Sequence, residues 1–396
     1  MKITSTHKLF DTILLLLLVF SSGGLLFVFH RNLFSVVLFS ISLFSLFFLG
    51  ERVKKSIFNT SLLTLVLFYF FILINYIYCL GDQSYIKYGF HLLNISSCVF
   101  ILTHFINNRD TSYFLKRLRW ILRIILYYSI CNFLFYYLVR NNLFEISYPY
   151  AKDRFVKTFN YIFFYDPERS SLNILGLDFV RNQGWFWEPG INQIYLNILL
   201  YLEGLVFKRN KWVILLIILI FIFKSSIKKN PILIFLAISI VIPFYFITKS
   251  NVEEKLETFS FQKRYFDLIQ TISIINDYPL TGIGLDDSFF SDFRSSHFIN
   301  NNLLNTFEES TSFELRAKST DKGSSNSITY LMVAMGIPIS SFLLYCFFKQ
   351  TLFPNRKRIL MMIIFISVFT EPLLLRPFFL IFIVSGMMSF FSRFTK

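Results

Sequence analysis

The chain has 396 residues, of which 55% are hydrophobic and only 16% charged, and its mean hydropathy is +0.56. A soluble domain carries about 25% charged residues, so these figures exclude an ordinary soluble globule. The formal charge of +15 forms no basic stripe on a soluble domain, so no nucleic-acid partner is expected.

The chain opens with Lys2 and Lys8, an apolar run, and then Ser21 to Gly24. That order resembles a signal peptide, but apolar residues continue to Phe29 and a second run follows. The segment therefore reads as an uncleaved first crossing. Crossings follow from runs close to the ~20 residues that span ~30 Å of hydrocarbon. They fall at 10–29, 33–49, 60–80, 89–106, 119–139, 191–207, 231–247, 326–348, 359–373 and 377–392. The predicted fold is all-α: a polytopic membrane helix bundle of about 10–12 transmembrane helices with two large extracytoplasmic loops. Its parts are an N-terminal bundle (1–139), a first outer loop (140–190), central helices (191–248), a large outer loop (249–325) and C-terminal helices (326–396).

Orientation follows from short basic loops, which stay in the cytoplasm. Arg52, Lys54 and Lys55, then Arg109, Lys116, Arg117 and Arg119, then Lys208, Arg209 and Lys211, then Arg356 to Arg358, and finally Arg393 and Lys396 all fit the inside if the N-terminus is inside. The acids agree, since 18 of the 24 lie in 140–190 and 249–325. One segment leaves two readings. Trp212 to Phe223 covers roughly 18 Å as a helix. If it spans, the 249–325 loop lies inside. If 211–224 is re-entrant, both large loops lie outside and both termini are cytoplasmic. The second reading accounts for every basic cluster.

Within the second loop, Lys263 to Asn276 places Tyr265, Leu268, Ile269, Ile272 and Ile275 at helical spacing, which predicts an amphipathic helix in the membrane interface. Asn300 to Ser325 is polar throughout. The four cysteines share no polar loop and the five histidines show no metal-ligand spacing, so neither a disulfide framework nor a metal site is expected.

Three constellations carry candidate chemistry. In the first, Arg181 to Gly190 precedes a helix. Pro189 suits a helix start, whose free N–H groups attract anions. Arg181 offers a planar fork for phosphate oxygens, and Glu188 is a carboxylate at a boundary where partial burial favours a general base. Trp185 and Trp187 offer faces for sugars, although an aromatic belt explains them equally. In the second, Arg264 opens the amphipathic helix that leads to Pro279-Leu280-Thr281-Gly282-Ile283-Gly284. Gly282 and Gly284 would let backbone approach a ligand. In the third, Asn326 and Ser327 cap a helix running through Gly336-Ile337-Pro338, where a kink is expected. Arg123, Glu371 and Arg376 are lone charges within or beside apolar runs, where they face a polar cavity or snorkel to the interface.

In this order the three elements resemble the bacterial superfamily of O-antigen ligases and O-antigen or capsule repeat-unit polymerases, over roughly 180–340. The resemblance implies a glycosyltransferase. Its donor and acceptor are glycans on undecaprenyl diphosphate, at the outer face of the membrane and among membrane lipids, with a flippase and a chain-length regulator as partners. An acceptor hydroxyl attacks the anomeric carbon and the lipid diphosphate leaves. Arg181 and Arg264 are then the diphosphate clamps and Glu188 the base. Trp185, Trp187, Gly282, Gly284, Asn326 and Arg376 line the substrate site, and neither a metal nor a cofactor is implied. Ligases of the superfamily usually carry His where this chain has Asn326, which favours a polymerase over a ligase. A lipid-linked oligosaccharide flippase is the competing class. Short loops on both sides would mark a flippase, and this chain instead gathers its polar residues in two loops.

Overall fold

The computed structural model describes residues 5–48, 52–148, 151–166, 171–174, 177–180, 182–206, 259–296, 326–353, 357–371 and 373–394. The described helices are α1 (Ser5–Phe20), α2 (Leu25–Phe29), α3 (Arg31–Phe48), α4 (Lys55–Tyr78), α5 (Tyr85–Asn108), α6 (Thr111–Val139), α7 (Pro189–Tyr201), α8 (Phe259–Asp277), α9 (Asp287–Ser296), α10 (Ser327–Phe348), α11 (Lys357–Thr370) and α12 (Pro377–Phe391). Four of them, α4, α5, α6 and α10, are long and apolar enough to cross a membrane. The expected crossing at 231–247, the 211–224 segment and the polar run Asn300 to Ser325 lie outside the described residues.

α12 is the centre of the bundle. Phe378, Phe379, Ile381, Phe382, Ile383, Val384 and Met387 are all buried. A helix that is apolar on every side is stable only when enclosed, and α12 packs against α1, α4, α5 and α10. It has 15 residues, roughly 22 Å of helix, so it is shorter than the helices around it. Its start lies deep in the bundle: the Cys98 thiol, past the middle of α5, donates to the Pro377 carbonyl at 3.2 Å.

The predicted first crossing is interrupted. α1 ends at Phe20, and Ser21 to Gly24 form a turn before α2. The turn receives the segment preceding α7: Leu25 N donates to Trp185 O (2.7 Å) and Trp187 N to Gly23 O (3.2 Å). Ser and Gly inside an apolar run carry too little polarity to announce such a break. The stretch 140–190 also departs from an all-α expectation. It forms one sheet of β1 (Phe144–Tyr148), β2 (Ala151–Phe159) and β3 (Phe163–Tyr165), ordered 1-2-3, and a hairpin of β4 (Ser171–Ile174) and β5 (Leu177–Val180), all antiparallel. The sheets sit at the end of the bundle where α6 finishes. We call this the sheet end.

α8 exists where periodicity placed a helix, and its inner face is shifted from the expected one: Ile275 is buried as expected, Ile272 is exposed, and Asp267, Gln270, Thr271 and Ile274 are buried too. Arg294 of α9 explains the buried polar residues: it donates to both Asp267 and Gln270, and Gln270 donates back to the Arg294 carbonyl at 2.7 Å. Buried polar groups tolerate removal from water when they satisfy one another.

α10 is broken at Gly336, whose φ of +74° and ψ of 165° are not helical. Pro338 has no N–H, so the Ala334 carbonyl has no intrahelical donor. The loop 279–284 supplies the missing groups. Ile283 N donates to Val333 O (2.8 Å), Gly284 N to Ala334 O (3.0 Å), and Ile337 N to Pro279 O (2.8 Å). Asn75 of α4 adds donors to Thr281 O (2.9 Å) and Ala334 O (2.7 Å).

Candidate functional site

Two polar regions occupy the sheet end. The first surrounds the start of α7. Asn182 accepts from Gly184 N (3.0 Å) and Asn132 Nδ2 (3.3 Å) and donates to the Ser129 carbonyl. Asn192 reaches Ser129 Oγ (3.1 Å) and the Asn182 carbonyl (3.3 Å). Asn132 lies two turns below the end of α6, roughly 10 Å, so the 182–188 segment dips into the bundle. At such depth irregular backbone persists where protein satisfies its polar groups. The asparagine knot does so for Gly184 N and the Asn182 carbonyl, while both side-chain polar atoms of Gln183 are buried with no hydrogen-bond partner among the described residues.

The predicted site residues of this region fall as follows. Arg181 lies outside the described residues. Glu188 is the half-buried N-cap of α7. Trp185 is half-buried and one of its faces is taken by Tyr128, with ring centroids 4.0 Å apart. Trp187 is half-buried against Leu25, Val156 and Phe164. Both tryptophans therefore fasten the segment to its surroundings. An anion does sit at the start of α7, and the chain supplies it: the buried Glu371 places Oε1 2.7 Å from where a Cβ on Gly190 would lie.

The glycine turn packs against the broken part of α10. Gly282 (φ +69°) faces the Val333 and Ala334 backbone, where any side chain would collide. The close approach that glycine permits is to α10, and no ligand needs to enter for the turn to require glycine. Arg264 lies on α8, and its side chain is outside the described set. Asn326 is a buried helix cap whose Oδ1 accepts from Ile328 N (2.9 Å) and Thr329 N (3.2 Å). Ser327 beside it accepts from Leu373 N (2.7 Å) and Leu374 N (3.2 Å), which ties α10 to the α11–α12 turn.

The second polar region is a recess that the sequence did not reveal. Five elements meet there: Arg31 begins α3, His91 lies on α5, Asp287 begins α9, Tyr330 lies on α10 and Arg376 caps α12. Asp287 is the hub. Its Oδ1 accepts from the Tyr330 hydroxyl at 2.7 Å, and its Oδ2 lies 3.6 Å from Arg31 Nη2. His91 and Arg376 act on it electrostatically from further away. Arg376 lies over the Phe27 ring, 6.0 Å from its centroid, and forms no ion pair among the described residues. The side chains of Arg31 and Asp287 stay 40% and 51% exposed. Burial is nonetheless the largest influence on Asp287, tending to raise its pKa. The meeting point of these five elements, where Arg31 and Asp287 are partly open to solvent, is the recess. Arg31, Arg376, Tyr330 and His91 outweigh the burial and hold the carboxyl below its ordinary pKa.

The neighbouring Asp286 shows the contrast. Its side chain is 5% exposed and accepts from Lys87, Ser84 N (3.2 Å), Ser288 N (2.8 Å) and Ser288 Oγ (2.6 Å). These bonds outweigh its burial and lower its pKa. Asp286 is saturated and fastens the loop to α5, whereas Asp287 keeps an oxygen facing the recess.

No family model, curated protein or solved structure matches the chain.

The floor of the recess is set by helices that stop short. Ser22, just past α1, accepts from Phe378 N at 2.7 Å, so Arg376 lies level with the end of α1 and well below the start of α5. Among the described residues no group of three or more His, Cys, Asp or Glu side chains could hold a metal. The recess instead concentrates two guanidinium groups against one carboxylate, a balance that suits an anionic ligand. Two signals pointed weakly to it: adjacent acids directly after the glycine turn, and a histidine within an apolar run.

Proposed function

We propose that this chain joins undecaprenyl-diphosphate-linked oligosaccharide units into O-antigen or capsular polysaccharide. In this reading it is a polytopic membrane protein, the sheet end faces outward, and the recess receives the lipid diphosphate. The observation that carries the reading is the meeting of Arg31 and Arg376, from separate helices, in an accessible recess at the sheet end. The orientation rests on charge. Lys54, Lys55, Lys116, Arg117, Lys357 and Arg393 lie at the opposite end of the helices, as the cytoplasmic bias of Lys and Arg requires.

Outside the cytoplasm no nucleotide sugar is at hand, so the anomeric diphosphate link supplies the driving force. The catalyst must then stabilise the charge that grows on the departing diphosphate. Guanidinium groups already held in place by the fold do this with little reorganisation. Arg376, with no ion pair among the described residues, is the principal anchor in this reading, and Arg31 is the second. The resemblance adds Arg181 and Arg264 as further cations from the two loops.

The decisive experiment is Arg376→Ala in cells that depend on this chain for glycan assembly. Loss of one such donor costs about 10²–10³-fold in rate, so long-chain glycan should vanish from the gel ladder while the protein still inserts. A full ladder with normal insertion rejects the reading. A reporter fused at Asn142 tests the orientation, and a cytoplasmic signal there rejects it.

A further inference from the structure

We propose that Asp287 is the base that accepts the proton from the attacking sugar hydroxyl, and that Tyr330 positions it. This inference rests on the glycosyl-transfer reading above and assigns the acceptor side of the same recess.

The argument starts from the two carboxylate oxygens. Oδ1 is engaged by the Tyr330 hydroxyl at 2.7 Å. That bond fixes the rotation of the carboxylate and leaves Oδ2 as the working atom. Oδ2 is 3.6 Å from Arg31, which is an ion-pair distance and too long for a strong hydrogen bond. Its lone pairs therefore remain available to an incoming O–H. Asp286, one residue earlier, is 5% exposed and has both oxygens engaged, by Lys87, Ser84 and Ser288. Of the other buried acids at this end, Glu371 lies against Gly190 and Asp267 is bound by Arg294. Asp287 is thus the carboxylate of the recess that combines exposure, a fixed orientation and an open oxygen.

The step balances without a co-reactant. The acceptor hydroxyl oxygen forms a bond to the anomeric carbon of the donor as its proton passes to Oδ2. The bond from the anomeric carbon to the diphosphate oxygen breaks, and its electron pair stays on the diphosphate, beside Arg376 and Arg31. Asp287, now neutral, returns the proton to water through the open side of the recess. Arg31 serves both halves, since it faces the carboxylate before transfer and the diphosphate as charge moves there.

The titratable groups facing Asp287 are the guanidinium groups of Arg31 from α3 and Arg376 from the start of α12, the His91 imidazole from α5 and the Tyr330 hydroxyl from α10. Together they keep it ionised below the usual carboxylate range. A base must be ionised to work, so activity should fall only as the pH drops through this lowered pKa. Removing the Tyr330 hydroxyl removes one stabilising contact and raises the pKa. The acidic limb of the pH profile should then move to higher pH.

The test uses the full-length protein in detergent or nanodiscs, with undecaprenyl diphosphate as the binding probe and a lipid-linked repeat unit as substrate. Asp287→Asn should bind the probe within a few-fold of wild type and lose about 10²–10⁴-fold in polymer formation, the range of general-base contributions. Tyr330→Phe should retain binding and shift the acidic limb upward. Normal polymer formation by Asp287→Asn overturns the proposal, as does an unmoved acidic limb in Tyr330→Phe. Loss of probe binding in Asp287→Asn overturns it too, by making Asp287 part of the binding scaffold. If the wild-type protein does not bind the probe, the glycosyl-transfer reading itself falls, and this inference with it.

Discussion

The recess at the sheet end and the charged knot at the opposite end are built from the same residue types and treat them in opposite ways. In the knot, Asp11 of α1 accepts from Arg109 Nε (3.0 Å) and the Tyr113 hydroxyl (2.9 Å), and lies 2.9 Å from His104 Nε2. The other ring nitrogen of His104 reaches the Ser45 carbonyl at 3.1 Å. Asp11, His104 and Arg109 are at most 2% exposed. Charges sealed in this way bind one another, with only Arg109 Nη2 left without a hydrogen-bond partner among the described residues, and are closed to a ligand from solvent. They lock α1, α3, α5 and α6 together. In the recess the charges are held at longer range and keep their access to water. An ionisable group within a membrane bundle invites a functional reading, and on the proposed function pairing and access separate the lock from the site.

The comparison breaks most readily at Asp11. Asp11→Ala leaves Arg109 buried without its carboxylate, and stranding one half of a buried pair costs about 3–5 kcal/mol. Thermal unfolding of the purified protein should show a large fall in midpoint, while the molecules that remain folded bind undecaprenyl diphosphate as wild type does. An unchanged midpoint means that the knot is not a lock. Arg376→Ala, whose loss of function is set out above, is the mirror case and should leave the midpoint nearly unmoved.

A smaller effect is expected where the scaffold of the recess is strained. Gly336 has positive φ and its α-carbon faces the Leu280 carbonyl. Gly336→Ala forces a β-carbon into that contact and into a backbone region that costs about 1–3 kcal/mol. Asp287 lies beyond the loop that pairs with this break, and Tyr330 lies just before it. The substitution should therefore lower both thermal stability and polymer formation. A loss of stability with full activity would show that the break does not position the site.

The contrast between the regions also shows what the sequence could carry. Long helices were legible because their apolar runs are local and approach membrane length, as in α4, α5, α6 and α10. The kink at Gly336-Ile337-Pro338 was legible for the same reason, since one residue lacks an N–H and another lacks a side chain. The two sheets were not legible. Neither Phe144 to Tyr148 nor Leu177 to Val180 is long enough to fix an alternating pattern. The recess was hidden for a deeper reason. Residues 31, 91, 287, 330 and 376 have no spacing in common, and only the packing of five elements brings them together. Of the predicted site residues, Arg376 alone has its charge shown in this recess. Trp185, Trp187, Gly282 and Asn326 are explained by local packing, because each motif combined residues that cap or turn a chain with residues that bind.

Asn326 gives the finest test of that distinction. Its side chain was a candidate substrate contact, and its Oδ1 is engaged by the first turn of α10 at 2.9 and 3.2 Å. Removing such a cap costs about 1 kcal/mol, and the following Ser327 still holds the α11–α12 turn. Asn326→Ala should therefore lower the unfolding midpoint slightly and leave the glycan ladder at its normal length. Asn326→Ser, which restores a capping oxygen on a shorter side chain, should recover most of the lost stability. If the alanine variant instead lost long-chain glycan at unchanged stability, Asn326 would belong with Asp287 and Arg376. The site would then extend from the recess to the start of α10, along the same half-helix that carries Tyr330 one turn further on.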